Sequence, residues 1–169
     1  MNYTELTNAI KEYTDNTETT FVNNIPNFVR QAEERIYRSI LIPELRKNVT
    51  TSLTTSNRFL AKPTDFLAVF SIAVVDGSSN YSFLLPKDVN FIREAYPATG
   101  TTGLPLYYSQ FDGDNFLLAP TPDSTYTVQL HYYYDPQSIV ASSTSWLGDN
   151  AESTLLYGSL LEAYTFMKG

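Results

Sequence analysis

The chain has one imidazole, His131, and no thiol, since cysteine is absent. His131 falls beside Gln129 on the polar side of an alternating stretch, which reads as a half-exposed sheet residue. A Ser-His-Asp triad would have to use it, and no nucleophile-elbow sequence occurs. Asp112-Gly113-Asp114-Asn115 opens like a calcium loop but lacks the later ligands and the distal Glu, so it reads as a hairpin tip. Glu33 and Glu34 sit at ion-pairing distance along a helix from Arg30 and Arg38. Asp149 and Glu152 stand where a helix N-terminus favours negative charge. Gly100 and Gly103 have neither the Lys nor the strand-to-helix setting of a phosphate loop. Tyr132-Tyr133-Tyr134, with Tyr107 and Tyr108, offers rings for stacking on sugars or bases, although alternation turns Tyr132 and Tyr134 toward the apolar face. These residues assemble no active site, so no enzyme, cofactor or metal is expected.

Charge narrows the partners. The formal net charge is −7, which argues against a dedicated nucleic-acid binder. Residues 101–169 carry Asp112, Asp114, Asp123, Asp135, Asp149, Glu152 and Glu162 against Lys168 alone. An acidic last third favours solubility, or faces a surface that must not adhere, such as a DNA phosphate backbone. The N-terminus lacks a basic-then-apolar signal pattern, and no apolar run approaches membrane-spanning length. The expectation is a chain with no membrane partner, made in the cytoplasm.

The elements that hold these residues follow from periodicity. Asn24 to Ile40 has Ile25, Phe28, Val29, Ala32, Ile36 and Ile40 at helical spacing. Asn24 is expected as the cap, Pro26 in the first turn and Pro43 as the stop. Its other face carries Arg30, Gln31, Glu33, Glu34, Arg35 and Arg38. Burying six apolar side chains is worth roughly 10 kcal/mol, and ordering the backbone costs about as much or more. The helix therefore depends on what packs against it. A first helix over Tyr3 to Tyr13, with Leu6, Ile10 and Tyr13 inward, is expected to form a hairpin with it.

After Pro43 the period changes to that of strands. Val49, Thr51 and Leu53 alternate, and a turn at Ser56-Asn57 predicts a return strand over Arg58 to Ala61. Phe66 to Val75 is apolar on both faces and predicts a central strand, with Tyr81 to Leu85 as its hairpin partner. Asp88 to Tyr96 predicts a short helix. Strands flank Asp112-Gly113-Asp114, and Tyr126 to Tyr134 alternates most clearly. A last helix, capped at Asp149 or Asn150, has Leu155, Leu156, Ser159, Leu160, Ala163 and Met167 on one face. Gly158 inside it costs roughly 1 kcal/mol against Ala, which predicts close approach by a neighbour. The expected class is α+β. A helical frame (1–43 and 147–169) holds an inserted antiparallel β-sandwich or barrel-like module (44–146), with a short helix near 88–96, in a single domain.

Two stretches together resemble head-to-tail adaptor (connector) proteins of tailed bacteriophages. Phe28-Val29-Arg30-Gln31-Ala32-Glu33-Glu34-Arg35-Ile36-Tyr37-Arg38 is similar to their first long helix. Trp146-Leu147-Gly148-Asp149-Asn150, Leu155-Leu156-Tyr157-Gly158 and Glu162 to Gly169 are similar to their last block. Leu60 to Asp65 and Leu67 to Val69 fit the strand, turn and core strand between them. The resemblance implies a structural protein in the virion neck, a homo-oligomeric ring commonly of twelve. Its partners would be the portal and the tail or nozzle proteins, and DNA would pass through without specific binding.

That reading makes Arg30, Glu34, Arg35, Arg38, Tyr157, Tyr164 and Lys168 candidates for subunit or portal contact. It makes Asp149, Glu152 and Glu162 candidates for the channel wall. Relatives of this kind continue past the Met-Lys-Gly with a further portal-gripping segment, so either the grip lies elsewhere or the chain is shortened. The competing expectation is a carbohydrate- or receptor-binding virion or tail module that uses Tyr108 and Tyr133. An unrecognised hydrolase depending on His131 is a third.

Overall fold

The structure, a computed structural model, describes residues 1–168; the final residue of the expected helical frame, Gly169, lies outside them. Two helices come first, α1 (Tyr3–Thr14) and α2 (Thr19–Ser39). Then follow β1 (Arg46–Ser52), β2 (Phe59–Ala61), β3 (Phe66–Val75), β4 (Tyr81–Phe83), β5 (Leu85–Pro86) and α3 (Val89–Ala95). Next are β6 (Thr102–Gly103), β7 (Tyr107–Gln110), β8 (Asn115–Ala119), β9 (Thr121–Pro122) and β10 (Thr127–Tyr134). The chain closes with α4 (Ile139–Ser142), α5 (Trp146–Asn150) and α6 (Glu152–Lys168). The class is α+β, with helices at both ends and sheet between.

Two compact units result, 1–42 with 136–169, and 43–135. Pro43 and Pro136 stand at the two boundaries. The second boundary precedes the expected 146 because residues 136–146 carry α4, whose Ile139 is buried among the helices.

In the helical unit, Asn2 and Glu5 cap α1 reciprocally: the Glu5 N–H donates to Asn2 Oδ1 and the Asn2 N–H to Glu5 Oε2. Helix α2 starts nearly two turns earlier than the spacing predicts, capped at Glu18 where Asn24 was expected. Phe21 extends the buried stripe of Ile25, Phe28 and Val29, with its ring 5.6 Å from that of Phe28. Asn24 is therefore not the cap. It lies inside the helix and donates to the Thr20 carbonyl at 2.9 Å, while Pro26 sits in the helix interior and leaves one i→i−4 bond unmade. At the other end the helix stops at Ser39 and Ile40 turns extended, which carries it off the apolar face into solvent.

Helices α2 and α6 run antiparallel. Phe28 meets Phe166 at a centroid distance of 5.2 Å, Arg35 meets Glu162, and Gly158 faces Ala32. A Cβ on Gly158 would lie 3.3 Å from Ala32 Cβ, the close approach that its position predicts. Helix α1 packs chiefly on α6 instead of forming the expected hairpin with α2. Leu6 and Ile10 are buried there; Tyr13 and Met167, both expected inward, are exposed.

The second unit is a sandwich of two four-stranded sheets, ordered β1-β10-β3-β4 and β2-β8-β7-β5. Ile72, Val74, Val128, Leu130 and Tyr132 of the first meet Leu60, Phe116 and Leu118 of the second in one core. The expected hairpin of residues 49–61 is not formed: β1 pairs with β10 and β2 with β8, so the Ser56-Asn57 turn carries the chain between sheets. The module is also not wholly antiparallel, since the two-residue pairings β5–β7 and β6–β9 are parallel. Strand β10 presents Val128, Leu130 and Tyr132 inward as alternation predicts, and β3 with β4, and β7 with β8, form the expected hairpins.

Candidate functional site

Several of the side chains singled out for chemistry are held in structural work. The His131 ring packs against Phe70 at 5.0 Å. The Asp112 carboxylate accepts the N–H groups of Asp114 and Asn115 at 2.8 and 2.6 Å, fixing the hairpin tip. The Asp114 N–H and the Asn115 groups hold that carboxyl below its ordinary value. Tyr108 packs on Phe116 in the core, Tyr132 is buried, and Tyr133 lies on the outer face under Arg46 and beside Phe70. The tyrosines are therefore not gathered into one platform. Among the described residues no group of His, Asp and Glu is placed to hold a metal ion, and no helix is long and apolar enough to cross a membrane.

Polar contacts tie β1 to the rest of its unit. Lys47 Nζ lies 2.6 Å from Asp65 Oδ2, and Tyr132 Oη donates to Asp65 Oδ1 at 2.7 Å. Burial works to raise the Asp65 carboxyl, but the hydrogen bonds from Lys47 and Tyr132 and the Lys47 charge prevail and leave it below its ordinary value. Burial, then the bond to Asp65, pushes the Tyr132 phenol up to about 12.

On α2 the charged residues divide into four roles. Arg38 and Glu34 pair at 2.8 Å across one helical turn, both exposed. Arg35 reaches α6 and pairs with Glu162 at 2.7 Å; the Glu162 side chain is only 12% exposed, so its charge is neutralised within the chain. Glu33, expected on the solvated face as a partner of Arg30, is buried instead. Its carboxylate accepts the Ile139 N–H at 3.0 Å at the start of α4. Sequence reasoning missed this because Ile139 lies 106 residues away. Arg30 is exposed and lines a shallow groove between α2 and α6 with Asn27 and Gln31.

Helix α6 is apolar on more than its buried face. Tyr157, Leu161 and Tyr164 are exposed, and Lys168 continues their row at 4-3-4 spacing. Such spacing marks one continuous stripe on a helix. Leu161 is the member that sequence reasoning passed over, and that spacing was the available signal. Tyr164 is steadied by donating to the Tyr13 carbonyl at 2.9 Å. Asp149 and Glu152 are exposed near the start of this helix, Glu152 standing 3.3 Å from the Met1 amine.

An apolar stripe and a charged helix face, with no metal-binding cluster among the described residues, suit contact between proteins. No curated protein is significantly similar to the chain. A family model described as SU10 adaptor protein matches residues 1–169, and the chain therefore belongs to the SU10 adaptor protein family, as a structural phage adaptor.

Proposed function

We propose that this adaptor forms a homo-oligomeric ring, of about twelve copies on the family resemblance, in the neck of the virion, joining the portal to tail or nozzle proteins. The observation that carries this reading is the exposed stripe of α6. Tyr157, with 61% of its surface exposed, Leu161 and Tyr164 lie side by side on a helix whose opposite face is already buried. A helix apolar on both faces is at home only when both are covered. Arg30, Glu34, Arg35, Arg38 and Lys168 supply the charges that set register against a neighbouring subunit or the portal. Asp149 and Glu152 repel the phosphate backbone of passing DNA. Glu162 serves this arrangement by holding Arg35 in place. Leu161→Asp is expected to leave the monomer folded, with an unchanged thermal transition, and to abolish incorporation into particles. Normal incorporation of that variant would remove the stripe from the interface.

A further inference from the structure

The four edges of the sandwich are unequal. Strands β2 and β4 have three residues each, and β5 has two, one of them Pro86. Strand β1 has seven, and its register against β10 runs unbroken from Arg46 to Ser52. Residues in an antiparallel ladder alternate between those that exchange main-chain bonds with the partner and those that do not. The Leu53 N–H donates to the Tyr126 carbonyl at 2.8 Å and the Tyr134 N–H to the Leu45 carbonyl at 3.2 Å, which fixes the phase. Odd-numbered residues of β1 are bonded to β10. Asn48, Thr50 and Ser52 turn their N–H and C=O groups to the open side, where no described residue takes them. Protein edges are ordinarily blunted by charge, proline, a bulge or shortness. The run from Asn48 to Ser52 has none of these.

The inner face of the same strand lacks cover. Val49 and Thr51 are exposed, although they share a face with buried Leu53 and lie opposite Leu130 and Val128 of β10. With Leu60 and Ala61 of β2 they line a cleft of about 480 Å³ between the two sheets. A strand laid beside β1 would set alternate side chains into that cleft.

We propose that β1 is the docking edge for an extended segment of a different protein, which adds a fifth strand to the sheet and seats apolar side chains in the cleft. The occupant is an extended main chain, because backbone donors and acceptors at a two-residue repeat are matched by another strand. Its inward side chains are apolar because they meet Leu53, Leu60 and Leu130. Residues 45–64 hold Arg46, Lys47, Arg58 and Lys62 and no acidic residue. Lys47 is matched by Asp65 and Lys62 is held at the Asp112 carbonyl, whereas Arg46 and Arg58 join no ion pair among the described residues. The incoming segment is therefore neutral or acidic. A second copy does not supply it, since the other free edges offer only two or three residues. Strand β1 against β1 would give a closed two-fold dimer, and its exclusion rests on the ring reading.

The chain has no cysteine, so Asn48→Cys can carry a benzophenone maleimide on the outer face of the edge. Irradiated particles are expected to yield an adduct with a different polypeptide, mapped by mass spectrometry to a segment with apolar residues at alternate positions. Thr50→Pro removes an N–H that β10 does not use and obstructs the open edge. Added to Asn48→Cys, it is expected to abolish the adduct and to keep the thermal transition of the monomer, which Thr51→Pro lowers by breaking a ladder bond. Val49→Asp leaves the main chain intact, charges the cleft, and repeats the test should Thr50→Pro fail to fold. Adducts only between copies of this chain, no adduct, or an adduct that survives both changes overturns the proposal. A ring imaged at the capsid vertex without the adduct overturns the docking edge alone. The adduct without a ring leaves the edge standing and overturns the ring.

Discussion

At the scale of single residues, Asp65 and Glu33 do the most with their carboxylates. Asp65 binds Lys47 and Tyr132 and so ties the edge strand β1 and the turn before β3 to the centre of the sheet. Its ordinary carboxyl value is about 3.9, and in the fold it lies lower. The stabilisation is therefore complete above that ordinary value and is lost as pH falls through the lower one. Wild-type unfolding followed in urea should show this loss below about pH 4, and Asp65→Asn should show less of it. Tyr132 works in the opposite sense. Its value is raised to about 12, so its contribution is complete below the unfolded value of about 10 and is lost as pH rises from there through 12. Glu33→Ala removes the acceptor of the buried Ile139 N–H, and a loss of about 1–3 kcal/mol in urea unfolding is expected. No loss would mean that another group takes its place.

At the scale of elements, the packing of α2 against α6 turns on Gly158. Alanine there gains about 1 kcal/mol of helix propensity but presses on Ala32, so stability should change by less than about 1 kcal/mol. Valine adds volume that the α2–α6 seam cannot yield, and about 1–3 kcal/mol of destabilisation is expected in thermal unfolding. That close approach was legible from a glycine inside an apolar helix. The hairpin at Asp112-Gly113-Asp114 and the alternation of β10 were legible too, because each is encoded by neighbours in sequence. Pairing between distant segments was not. Nothing in Thr50 to Ala61 distinguishes a local hairpin from two strands claimed by β10 and β8. Glu33 looked solvated because only its helix neighbours were visible, and its true partner lies on another segment. Pro26 misplaced the start of α2 because proline favours the first turn, whereas here burial of Phe21 outweighs the missing hydrogen bond.

At the scale of the whole molecule, residues with catalytic potential are engaged in turns and sheet faces, while the surface offers apolar and charged elements suited to other proteins. Family membership makes the chain a structural phage adaptor. The ring reading assigns the α6 stripe and the charged face of α2 to its contacts. The most direct measurement is cryo-electron imaging of purified particles at the capsid vertex, without imposed symmetry at the neck. The account predicts a closed ring of this chain between portal and tail, with α6 at a protein contact and Asp149 and Glu152 turned toward the channel. A neck built without this chain, or its density at a fibre tip, would contradict it.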